Sequence, residues 1–77
     1  MSTYQLDITR DHCPMTFVKT KLKLDQLTVG DVLEVLLTEG EPLENVPRSS
    51  EEQGHKVISI VPIEGQIHCV TIEKGGS

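Results

Sequence analysis

The feature that most constrains this chain lies near its C-terminus. Two runs dense in β-branched residues, HKVISIVPI (residues 55–63) and IHCVTIEK (residues 67–74), are separated only by EGQ. Such runs favour strands, and a three-residue connection containing glycine joins them as an antiparallel hairpin. The chain therefore ends in sheet, and whatever precedes the hairpin must extend or cover it.

The preceding elements follow from periodicity. Tyr4, Leu6 and Ile8 alternate with Gln5, Asp7 and Thr9, which predicts a first strand at about residues 4–8. A polar loop to His12 follows, and Pro14 suits the first turn of a helix running from about 14 to 26. That helix carries two apolar stripes, Phe17, Thr20, Leu24 and Leu27 on one side and Met15, Val18 and Leu22 on roughly the opposite side. Gly30 and Asp31 read as a turn opening a strand over Val32–Leu37, with Leu33, Val35 and Leu37 on one face. Val32 and Leu36 on the other face place this strand inside the sheet or under partial cover. A short helix is expected at about 45–53, with Asn45 in the cap region, Pro47 in its first turn and Gly54 as its stop. The order β-α-β-α-β-β implies an α+β fold, a four-stranded mixed sheet with both helices on one face.

The 77 residues are expected to form one domain. With Tyr4 and Phe17 the only aromatics, its core must be aliphatic. Seven basic against twelve acidic residues give a net charge of −5, which disfavours nucleic-acid partners. No run is long enough for a membrane span, and MSTYQLDITRD lacks the basic start and apolar stretch of a secretory signal. Two cysteines in such a chain read as thiols in a reducing, cytoplasmic setting.

Cys13 stands between strand and helix, directly before Pro14. Helix starts expose backbone N–H groups and the positive end of the helix dipole, and such a setting lowers a thiol's pKa. Arg10 and His12 add positive charge nearby, and Asp11 works against them. Cysteine is an uncommon cap, so a reactive thiol and an incidental small residue are both open readings here.

A series of features spans nearly the whole chain: Asp7 six residues before Cys13–Pro14, the following helix, Gly30–Asp31, TEGEP, Val46–Pro47, Gly54–His55 and Lys74–Gly75. In this order they resemble the TusA/SirA family of small sulfurtransferases. The resemblance implies a two-layer α/β sandwich with strand order 1-2-4-3. It also implies that Cys13 accepts sulfane sulfur as a persulfide and passes it on, with no cofactor. Donors would be a cysteine desulfurase or a rhodanese-like protein; acceptors would be other carriers or the machinery of tRNA thiolation, cofactor synthesis or sulfur metabolism. The family's Cys-Pro-x-Pro reads CPMT here, with Thr16 in place of the second proline, so Pro14 and Thr16 are the residues supporting the helix start. Arg10 and Asp11 stand where the family often has Gly–Leu.

Other residues weigh less. With order 1-2-4-3, Cys69 is separated from the first strand and lies beyond the reach of a disulfide to Cys13. His12–Cys13 and His68–Cys69 lack the convergent spacing of a metal site, so no metal is expected. Met15 and Val18 are candidates for docking a partner beside Cys13. The acidic series Glu39, Glu41, Glu44, Glu51 and Glu52 reads as a solvated face. Three functions compete: a sulfur relay, a non-catalytic binding or regulatory module on the same fold, and a metal-handling protein.

Overall fold

The computed structural model describes residues 2–11 and 15–75. Its elements run β1 (Thr3–Asp7), α1 (Met15–Asp25), β2 (Val32–Thr38), α2 (Glu41–Glu52), β3 (Lys56–Glu64) and β4 (Ile67–Glu73). The strands form one sheet in the order β1-β2-β4-β3. β1 pairs in parallel with β2, and β4 pairs antiparallel with both β2 and β3. This is the mixed α+β sandwich that the sequence pattern and the resemblance imply.

The register explains which residues face inward. Leu33 and Val35 stand opposite Ile72 and Val70, and all four are buried with Leu37. Ile8 and Leu24 join them from the β1 and α1 sides, and Val46 from α2. Because β2 lies between β1 and β4, its alternate residues Val32 and Leu36 are half-buried on the face that carries no helix.

The second helix differs from expectation. It spans Glu41–Glu52 rather than about 45–53, with Gly40 at its N-cap and Pro42 in the first turn. Pro47 therefore sits inside the helix, where it removes one backbone donor. The helix persists because Leu43, Val46, Pro47 and Ser50 make one inward stripe at i, i+3, i+4 and i+7. Its end is a Schellman turn: Gly54 N–H donates to the Glu51 carbonyl, and His55 N–H to that of Ser50. Gly54 has φ +95°, a conformation that favours glycine.

His55 is buried just beyond this turn, and its Nδ1 accepts the Gly75 N–H at 3.0 Å. The ring proton must then reside on Nε2. Gly75 lies so close that a Cβ there would meet the Gly54 carbonyl oxygen, so the tail after β4 closes against the end of α2. Burial, and secondarily the Lys74 ammonium, hold the His55 pKa below its ordinary value, with Asp25 opposing. A histidine with a depressed pKa contributes stability that is complete above its unfolded pKa of about 6.5 and is lost as pH falls through the folded value. His55→Asn retains an acceptor near the Nδ1 position and cannot titrate. Thermal melts from pH 7.5 to 5 should therefore fall less steeply for the variant than for the parent. Parallel curves would show that His55 does not set the acid limb.

Candidate functional site

The chain leading toward Cys13 is held by a series of contacts from Asp7 to Asp11. Ile8 N–H donates to the Leu36 carbonyl, continuing the pairing of β1 with β2 by one residue. Asp7 Oδ1 then accepts both the Thr9 N–H at 2.9 Å and the Thr9 hydroxyl at 2.7 Å. This Asx turn halts the strand and turns the chain. The two Thr9 bonds, side chain first, lower the Asp7 pKa, with the Arg10 charge adding to them. The Asp11 N–H donates to the Ile8 carbonyl at 3.1 Å, tightening the bend.

Beyond the bend, the Asp11 carboxylate meets Lys19 Nζ at 2.8 Å. Lys19 belongs to α1, so the pair ties the loop to the helix. It also offsets the negative charge expected to oppose Arg10. A surface pair of this kind contributes little stability, on the order of 0–1 kcal/mol, but it alters the local field.

His12, Cys13 and Pro14 lie outside the described residues. Of the other candidate residues, Arg10 is exposed and Thr16 is fully buried. The Thr16 carbonyl accepts the Thr20 hydroxyl at 2.8 Å, one helical turn on. Met15 is 46% exposed, Val18 half-buried and Leu22 56% exposed, so the outward stripe of α1 presents apolar surface from its first residue. The inward stripe holds Thr20 and Leu24 against the core.

Cys69 is a free, half-buried thiol on β4, between Leu36 of β2 and Val61 of β3 on the helix-free face. Among the described residues, no group of three or more His, Cys, Asp or Glu side chains converges as a metal site. Among the same described residues no pocket forms, and no helix is long and apolar enough to cross a membrane. The residues that shape the bend, Asp7 and Thr9, carry a local signal distinct from any catalytic pattern: Asp followed two residues later by Thr at a strand end.

Comparison with known proteins agrees with this architecture. The family model described as sulfurtransferase TusA matches residues 4–74. A candidate sulfur carrier protein of Archaeoglobus fulgidus is 38% identical over 69 residues, covering 90% of this chain and 78% of its own length. Another, from Methanocaldococcus jannaschii, is 36% identical over 66 residues, covering 86% and 88%. The crystal structure of a SirA-like protein from Desulfitobacterium hafniense superposes with a TM-score of 0.82 at 23% identity, covering 95% of this chain and 99% of that one.

Proposed function

Because the chain belongs to the TusA family of sulfur carriers, we propose that Cys13 is the atom-bearing site, holding sulfane sulfur as a persulfide. What supports this reading is the bend from Asp7 to Asp11, which ends four residues before α1 begins at Met15. The 77 residues act as one domain of this type.

The chemistry needs one thiol in a suitable field. The Cys13 thiolate attacks the outer sulfur of a donor persulfide; a new S–S bond forms and the donor's inner sulfur leaves as thiolate. An acceptor nucleophile later attacks the same outer sulfur, and the Cys13 thiolate is the leaving group. The positive end of the α1 dipole stabilises the anion at both stages. Arg10 adds positive charge, the Asp11–Lys19 pair removes an opposing one, and His12 exchanges protons near neutral pH. Pro14 and Thr16 hold the helix start, while Met15 and Val18 contact the visiting protein. Donors are a cysteine desulfurase or rhodanese-like protein, acceptors are components of tRNA thiolation, cofactor synthesis or sulfur metabolism, and the setting is cytoplasmic.

Incubation with a cysteine desulfurase, cysteine and pyridoxal phosphate should raise the intact mass by about 32 Da, one sulfur atom, removable by a reducing thiol. An unchanged mass with that donor and with a loaded rhodanese would leave the binding-module reading in place.

A further inference from the structure

β3 is an edge strand, and its free edge is apolar. Ile58, Ile60, Val61 and Ile63 are each 47–58% exposed within a six-residue stretch. Scattered exposed apolar residues need no explanation, but a contiguous set on an unpaired strand edge marks an interaction surface.

The hydrogen-bond pattern shows what the edge offers. Gly30 N–H donates to the Lys74 carbonyl, Lys74 N–H to that of Asp31, and Glu39 N–H to that of Gln66. Even-numbered residues along β4 thus turn their backbone groups toward β2, and odd-numbered ones toward β3. Ser59 and Val61, opposite Thr71 and Cys69, are therefore bonded inward. The intervening Ile60 turns its N–H and C=O outward, and Pro62 turns its carbonyl outward with no N–H to leave unpaired.

The strand is self-complementary about Ile60. Laid antiparallel on a second copy, Ile60 faces Ile60, and Lys56 at one end faces Glu64 at the other; both charged residues are exposed. Register irregularities fall between Val57 and Ser59 and between Pro62 and Glu64, one on each side of Ile60. Each half of a two-fold pair would match one irregularity from each chain, so the oppositely charged ends stay level.

We propose that a second copy of this chain docks on β3, joining the two sheets into one of eight strands through an isologous two-fold contact. Growth stops at two copies, because the opposite edge, β1, carries Thr3, Gln5 and Asp7 on the helix-free face and spans only five residues. The two β1 edges then lie seven strand spacings apart, roughly 34 Å, so the pairing stays clear of the bend that follows each β1. One strand per copy makes a small interface, and the association is correspondingly weak.

Sedimentation velocity over a concentration series tests this, with dimer expected to appear between about 10 µM and 1 mM. Ile60→Lys places two ammonium groups on the two-fold axis and should give monomer throughout, with an unchanged circular dichroism spectrum. Lys56→Glu should weaken the dimer about tenfold, and the swap Lys56→Glu with Glu64→Lys should restore it. Parent chain that stays monomeric above about 1 mM, or an Ile60→Lys variant that dimerises as the parent does, would overturn the proposal. Ile60→Lys should still load sulfur, so this result stands apart from the relay reading.

Discussion

A Cys13→Ser variant is expected to take up no sulfur from a desulfurase, while a Cys69→Ser variant loads as fully as the parent. Only a thiolate attacks a persulfide at a useful rate; a serine hydroxyl, far less acidic, does not replace it. Cys69 offers a thiol but the wrong surroundings. It sits in the middle of β4, half-buried between Leu36 and Val61 on the helix-free face, with its backbone paired to β3. A donor protein would have to press its own reactive sulfur onto a strand surface to reach it. Intact mass followed by peptide mapping reads the result directly. Addition of about 32 Da to Cys13→Ser, or its loss in Cys69→Ser, would move the assignment to the other thiol.

The largest stability effect is expected from Leu33→Ala. Leu33 is fully buried on the central strand β2, with Ile72 beside it on β4 and Tyr4 on β1. Truncation removes apolar contacts and leaves a cavity, at a cost of about 2–5 kcal/mol. A domain of this size has roughly 4–12 kcal/mol in total at typical per-residue stability. The melting temperature should therefore drop by at least about 10 °C. Leu22→Ala provides the contrast: that side chain is 56% exposed on the outer stripe of α1, and its loss should change stability by no more than about 0.5 kcal/mol. Equal shifts for the two variants would mean that burial does not govern the stability of this sheet.

Much of the fold is legible in the residues because local and tertiary signals agree. Period-two alternation in Leu33–Val35–Leu37 and in Val70–Ile72 of the hairpin satisfies a single buried face, so pattern and packing give one answer. The strand order comes through the resemblance, since periodicity alone does not say which strands are neighbours. The start of α2 departs from the local pattern because two prolines compete for one role. Pro42 takes the first turn, and burial of Val46, Pro47 and Ser50 carries the helix through the second proline against its local preference. His55 reads as a residue after a helix stop, yet it holds the tail through Gly75, a contact between residues 20 apart that no local pattern announces. At the candidate site, Asp7 is visible as part of the family series. Its partnership with Thr9 has a local cue in the Asp-x-Thr spacing, and the bend at the strand end is what gives that cue its meaning.

The molecule measures 32 × 22 × 16 Å, two layers thick, with its core filled by aliphatic side chains and no pocket among the described residues. Among the described residues, a slab so thin offers no chamber in which to shelter a labile group from water or from small thiols. On the proposed relay reading, the walls of the reaction vessel come from the protein it meets. Cargo delivery should then be a bimolecular event whose rate rises with the recipient's concentration, and unprotected cargo should leak to glutathione whenever no recipient is at hand.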